Sequence, residues 1–297
     1  SKTRVQYKAQ RQIVTGLVVN EKVNIRSEYI RKLRACVHRW CKKGDFSLEG
    51  TCSPLDIKEK TEVESILDKR KRLEGSISYA YSIKDKNDHR DSNHKRNTPS
   101  GPKKLYRTFL FADRFNQAKH PVILCEGKTD SIYIECALKK LQTKYPSLIS
   151  DDAKPKLGLV RNSKLTRAIL DYDGGSRHVA KLAFNYMDFL DYSTGLTPQS
   201  PLILIVDNDK AVQTDLFNKK QLSELKISLT SNESFYHVKS NLYIIKTPII
   251  DGKEESDIED LFDEDTLSTP LSDGKTFKRN LKGRDNKKHF DKFYFAE

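Results

Sequence analysis

Two short acidic motifs, each placed directly after an apolar run, hold the residues of this chain best suited to chemistry. Glu126-Gly127-Lys128-Thr129-Asp130 follows Val122-Ile123-Leu124-Cys125, and Asp207-Asn208-Asp209 follows Leu202-Ile203-Leu204-Ile205-Val206. Carboxylates bind hard divalent cations through oxygen and leave water sites for a phosphate. One or two such cations polarise a phosphoryl group, activate water and stabilise the leaving oxygen. Glu126, Asp207 and Asp209 are therefore the candidate catalytic and metal-binding residues. Glu126 would act as general base or acid and the aspartates as ligands, with Mg²⁺ or Mn²⁺ as the expected cofactor. A lone Asp-x-Asp is common at strand ends and a lone Glu-Gly-x-x-Asp is weak, so the reading rests on their joint occurrence.

The elements that would position them can be read from the same stretch. Buried parallel strands are continuous aliphatic runs, and open α/β sheets place their sites beyond the carboxyl ends of such strands. From Pro121 onward the pattern predicts strands near 121–126, 157–160, 201–206 and 241–246. Helices are predicted at about 130–144, 176–190, 214–226 and 285–296, giving a βαβ arrangement with a mostly parallel sheet. Asp173-Gly174-Gly175 precedes the second of these helices. Glycines there either let the backbone approach a phosphate or serve a turn with positive φ.

The first part of the chain has a different character. The 297 residues allow two domains, and the net charge of +13 is unevenly spread. Residues 1–120 hold 28 Lys and Arg against 14 Asp and Glu, whereas residues 121–297 hold 26 against 27. A segment this basic should bind a polyanion with salt-dependent affinity. Residues 12–25 read as two β-rich runs around a polar turn at Asn20-Glu21-Lys22. A helix is predicted over 27–43, with Ser27 as N-cap and Gly44 past its end. Tyr29, Leu33, Cys36, Val37 and Trp40 share one face of it, while Arg31, Arg34, His38 and Lys42 form a cationic stripe on the other. Residues 84–104 contain no aliphatic or aromatic side chain, which predicts a mobile linker or a segment that orders on RNA. Residues 105–119 read as a short helix docking onto the second domain. Five irregularly spaced cysteines, with no Cys-x-x-Cys pair, suit a reducing, cytoplasmic setting better than a disulfide scaffold. No apolar stretch is long enough to span a membrane, no signal peptide is expected, and Ser1 opens the chain in mid-pattern, as a fragment would.

Arg11-Gln12-Ile13-Val14-Thr15-Gly16-Leu17-Val18-Val19-Asn20, then Tyr29-Ile30-Arg31-Lys32-Leu33-Arg34-Ala35, and later Leu73-Glu74-Gly75-Ser76-Ile77-Ser78-Tyr79, resemble in order the thumb region of bacterial retron reverse transcriptases. The resemblance covers roughly residues 1–83. It implies that Arg11, Thr15, Arg31, Arg34, His38 and Lys42 contact nucleic acid. The Tyr-x-Asp-Asp motif of the polymerase is absent, so the chain resembles the C-terminal piece of such an enzyme, whose polymerase portion would be a partner.

Residues 121–297 resemble the Toprim domain, the Rossmann-like metal-binding α/β fold of topoisomerases, bacterial primases and overcoming-lysogenization-defect nucleases. A glutamate after the first strand and an Asp-x-Asp after a later one match Glu126, Asp207 and Asp209. The resemblance extends the ligand set to Asp130 and, through Ser256-Asp257-Ile258-Glu259, to Glu259; Lys287-Lys288-His289-Phe290 makes Lys288 the matching terminal lysine. Together the resemblances imply a small basic, mainly helical thumb (1–83), a polar linker (84–104) and a Toprim domain (105–297). The implied function is bacterial anti-phage defence, in which the thumb binds a retron RNA–DNA hybrid and the Toprim domain cleaves RNA or DNA. A non-catalytic nucleic-acid-binding module and a primase- or topoisomerase-type enzyme are the alternatives. A homo-oligomer is left open, and no membrane partner is expected.

Overall fold

The computed structural model describes residues 7, 10–44, 66–150, 154–231, 233–250, 252–279 and 288–296. Lys287, quoted in the sequence reading, lies outside them, as does part of the helix expected over 285–296. The chain divides into two compact units, one made of residues 1–117 with 188–197 and the other of 118–187 with 198–297.

The first unit opens with a three-stranded antiparallel sheet, β1 (Ile13–Val14), β2 (Leu17–Val18) and β3 (Asn24–Ile25), in that order. The tight turn falls at Thr15-Gly16, where φ is 47° and 86°. Two consecutive positive φ values make a type I′ turn, whose twist suits a two-residue hairpin. The expected Asn20–Lys22 turn is the looser connection from β2 to β3. Helix α1 (Ser27–Lys43) buries Ile30, Leu33, Cys36, Val37, Trp40 and Cys41, as its spacing predicts. Arg26, not Ser27, occupies its N-cap and makes no side-chain cap bond; Gly44 ends it in the left-handed conformation, φ 68°.

Helices α2 (Ile66–Lys86), α3 (Ser92–Asn97) and α4 (Gly101–Leu110) follow, and α4 runs into a π-helical turn over Phe111–Asn116. The 84–104 segment is thus helical over much of its length and not an unstructured linker. Polar chemistry substitutes there for apolar burial. Asp91 caps α3 by accepting from the His94 N–H (2.9 Å), and Arg90 pairs with Asp88 (2.6 Å) while donating to the Thr98 carbonyl (2.9 Å). Ser100 caps α4, with Pro102 in its first turn. Residues 105–117 complete the first unit's own core: the Trp40 and Phe109 rings lie 5.6 Å apart, and those of Phe111 and Phe189 5.8 Å. The boundary falls after Gln117, beyond the expected one at residue 105, because these aromatics are buried within the first unit.

The second unit is built on a five-stranded sheet: β4 (Val122–Cys125), β5 (Gly158–Leu159), β6 (Leu202–Val206), β7 (Tyr236–Lys239) and β8 (Leu242–Lys246), ordered β5-β4-β6-β8-β7. All neighbours are parallel except β7 with β8. The fold is therefore a mixed α/β arrangement on a mostly parallel sheet. Helix α5 (Asp130–Lys140) follows β4, and α6 (Ser176–Tyr192) precedes β6. Where one long helix is predicted at 214–226, the chain forms α7 (Lys210–Val212), a π turn over Gln213–Phe217 and a 3₁₀ turn over Ser223–Leu225. The C-terminal part adds a 3₁₀ turn (Ile258–Leu261), α8 (Glu264–Ser268), the paired β9 (Thr276–Phe277) and β10 (His289–Phe290), and α9 (Lys292–Ala296). Phe295 and Phe262 pack on Tyr133 of α5, with centroids 5.9 and 5.2 Å away. No helix among the described residues is long and apolar enough to cross a membrane.

Candidate carboxylate centre and basic surface

Strands β4 and β6 pair in parallel, with Cys125 opposite Ile205. Their carboxyl ends therefore deliver Glu126 and Asp207 side by side. The Glu126 carboxylate (8% exposed) accepts the backbone N–H of Asp207 at 3.1 Å. Burial pushes the Glu126 carboxyl up to about 7, against the Asp207 N–H, and the charges of Asp209 and Asp130 add to the rise. Burial likewise pushes Asp207 up to about 8, reinforced by Glu126, Asp130 and Asp257 and opposed by Lys292. Two acids this close cannot both ionise cheaply without a cation.

Asp130 is the first residue of α5 and 4% exposed. Its carboxylate accepts the Gly127 N–H at 2.7 Å, and burial raises its pKa against that bond. A Cβ on Gly127 would sit 2.7 Å from the Asp130 Cγ, so glycine is needed for the acid to fold back over the loop. Gly174 and Gly175 have φ of 82° and 89°. The Gly175 N–H donates to the Glu126 carbonyl at 2.9 Å, so the pair makes the turn that leads into α6 and braces the Glu126 backbone.

Asp209 caps α7, accepting from the Val212 N–H at 2.7 Å. Between the two aspartates, Asn208 is pinned on every side. Its N–H bonds the Ser256 carbonyl (2.9 Å) and the Thr247 hydroxyl (2.9 Å), and its amide donates to the Leu229 carbonyl (3.1 Å). The Lys246 ammonium donates to the Asn208 side-chain oxygen (3.3 Å) and to the carbonyls of Ser228 (2.5 Å) and Leu229 (3.4 Å). Desolvation holds the Lys246 pKa below the usual lysine range. Sequence reading missed Lys246, which closes an apolar strand as any edge lysine does.

Glu259 is 1% exposed and bonds the Lys292 ammonium at 2.7 Å. Burial raises its pKa, and Lys292 opposes the rise. Asp257 lies 3.6 Å from the same ammonium and 2.7 Å from the Arg279 guanidinium. Lys288, expected at this position, is exposed and bonds Thr276 through its backbone carbonyl (3.2 Å). The lysine that reaches the acids stands four residues later, at 292, where α9 begins. Asp257 and Lys292 were also missed; Asp257 lies inside the quoted acidic motif, whereas Lys292 has no local signal.

Glu126, Asp130, Asp207 and Asp209 thus share one electrostatic environment, joined through Asp257 and Lys292 to Glu259. Among the described residues no three His, Cys, Asp or Glu side chains are gathered closely enough to enclose an ion as they stand. The donor set nevertheless fits a hard cation: it is all carboxylate oxygen, with Glu126 and Asp130 buried and Asp207 and Asp209 half-buried.

The basic stripe of the first unit forms as expected in part. Arg31, Arg34 and His38 are exposed on α1. Arg11 and Arg31 flank Glu28 at 3.8 and 3.5 Å. The His38 Nδ1 lies 2.8 Å from the Tyr192 hydroxyl, and the Lys42 ammonium stands 4.7 Å from that ring's centre. Thr15 is exposed and holds the left-handed position of the hairpin turn. Cys41, Cys125 and Cys136 are free thiols. No family model matches the chain, and no solved structure matches it either.

Proposed function

We propose that the second unit hydrolyses phosphodiester bonds of RNA or DNA with the help of Mg²⁺ or Mn²⁺, and that the first unit holds nucleic acid. The observation that carries this reading is the pair of buried Glu126 and half-buried Asp207, set side by side by parallel strands and pushed up to about 7 and 8. Glu126, Asp207, Asp209 and Asp130 would hold the cation, which when bound polarises the phosphate and activates water. Hydrolysis forms a bond from water oxygen to phosphorus and breaks the bond to the leaving oxygen; one proton leaves the water and one reaches the leaving group. Glu126, set beside Asp207 at the ends of the paired strands, is the residue placed to take that proton. Lys292, kept charged by Glu259 and Asp257, bears on Asp207.

In the fuller form of the proposal the chain is the C-terminal part of a retron reverse transcriptase joined to a Toprim nuclease. Its thumb-like unit binds the RNA–DNA hybrid, and its carboxylate unit is the effector in anti-phage defence. The resemblance of the quoted motifs supports this form. A non-catalytic binding module is the second reading, favoured by the use of Asp209 as a helix cap.

Labelled tRNA, single-stranded RNA and duplex DNA, incubated with the chain and Mg²⁺ or Mn²⁺ but without nucleoside triphosphates, test the proposal. Cleavage should occur and should fall at least about a hundredfold in Asp207→Ala and Glu126→Gln. Intact substrates with wild-type protein, or equal cleavage by the variants, would overturn it.

A further inference from the structure

At one end of α4, positive charge gathers. The Arg34 guanidinium lies over Gly101, where a Cβ would collide with it. Gly101 begins the ten-residue α4, and a helix N-terminus is itself the positive end of the helix dipole. The charges of Lys22 and Arg34 both bear on Lys84. None of the three makes a hydrogen bond or ion pair among the described residues, although Glu28 lies on the same helix as Arg34 and pairs with Arg11 and Arg31 instead. Three cations and a helix N-terminus repel one another, so this arrangement is stabilised by an anion.

Arg34 also borders a hollow of about 430 Å³. Leu105 lines it as a buried residue, Ala35 and Thr108 flank it, and His38 and Tyr192 stand at its border. An apolar hollow of this size with a few polar groups at its edge suits a small planar ligand. Beside a cationic grip, the ligand with both parts is a nucleotide. A base in a duplex is paired and stacked, so only an unpaired one can enter such a hollow.

We propose that Lys22, Arg34 and Lys84 bind a backbone phosphate, and that the adjoining hollow takes the unpaired base next to it. The first unit would then prefer single-stranded nucleic acid to duplex at this site. The proposal rests on the reading of this unit as nucleic-acid-binding and is independent of the carboxylate centre.

The test measures fluorescence anisotropy of labelled oligouridylate, its DNA counterpart and an RNA duplex with the full chain across a salt series. Two variants accompany it, with thermal melts to confirm folding. Lys22→Gln/Arg34→Gln/Lys84→Gln removes the grip at positions with no bond to lose. Ala35→Phe fills the hollow from an exposed helix position and leaves every charge in place. The triple variant should lower the salt slope for single strands by about 2. Ala35→Phe should weaken single-strand binding about tenfold, with the slope and the duplex affinity unchanged. A wild-type slope in the triple variant would place binding elsewhere and overturn the site while sparing the nucleic-acid reading. Equal loss for single strand and duplex in Ala35→Phe, or no loss, would overturn the base pocket. A wild-type chain that binds neither form would remove the nucleic-acid reading and this site with it.

Discussion

Glu126 and Asp207 give the protein a pH dependence opposite to that of a salt-bridged carboxylate. Their folded values of about 7 and 8 lie above those of an unfolded chain. Between roughly pH 4 and 8 the folded state therefore binds more protons than the unfolded state, and stability falls as pH rises through that window. Thermal melts in chelator should show this decline; Asp207→Asn should flatten it, and Mg²⁺ should restore stability chiefly at its alkaline end. A melting temperature that rises with pH in the chelated wild type would contradict the assignment. Glu259 makes a second case. Among the described residues its cationic contact is Lys292, whose side chain is 34% exposed while that of Glu259 is 1% exposed. Lys292→Met should cost about 2–3 kcal/mol in urea unfolding at neutral pH, and Glu259→Gln in the same chain should recover much of it. At this scale the acids were legible because each directly follows an apolar strand or sits in an acidic motif. Lys292 was not, because its partnership with Glu259 spans 33 residues and leaves no trace in local spacing. The nearby Lys288 carries the same residue type without the contact.

Among elements, strands β4, β6 and β8 were the most legible, since each is a short apolar run with β-branched residues. Strand β7 was missed because it is a polar, bulged edge, with a register shift between His237 and Lys239. The 84–104 stretch was misread for a related reason: caps and an Arg90–Asp88 pair order it, and composition alone weighs apolar content. The end of α1 shows how little sequence says about backbone crossings. The Gly195 N–H bonds the Cys41 carbonyl at 2.8 Å, and a Cβ on Gly195 would run into the Lys42–Lys43 peptide. Gly195→Ala should lower stability by about 1–3 kcal/mol through overpacking, measured as a drop in denaturation midpoint with binding otherwise retained by the folded fraction. An unchanged midpoint would show that the two backbones part at little cost.

For the molecule as a whole, charge and chain path follow different divisions. Charge changes character near residue 120, close to the boundary after Gln117, and so revealed the existence of two units. The return of residues 188–197 to the first unit was not legible, because it depends on contacts such as Phe189 with Phe111 and Ser193 with Cys41. A piece ending at residue 117 should consequently be less cooperative than the same piece joined by a short linker to 188–197, as judged by near-ultraviolet circular dichroism and urea unfolding. Equal cooperativity would mean that the returning segment is dispensable. The same chain path sets a clock during synthesis. The 80 residues from 118 to 197 must emerge before the first unit can close around Phe189, an interval of roughly 4–16 s at ordinary elongation rates. Through that interval the partner surface of Phe111 is left waiting on a nascent chain, which makes this basic, amino-terminal unit the one that a ribosome-associated chaperone would engage for longer.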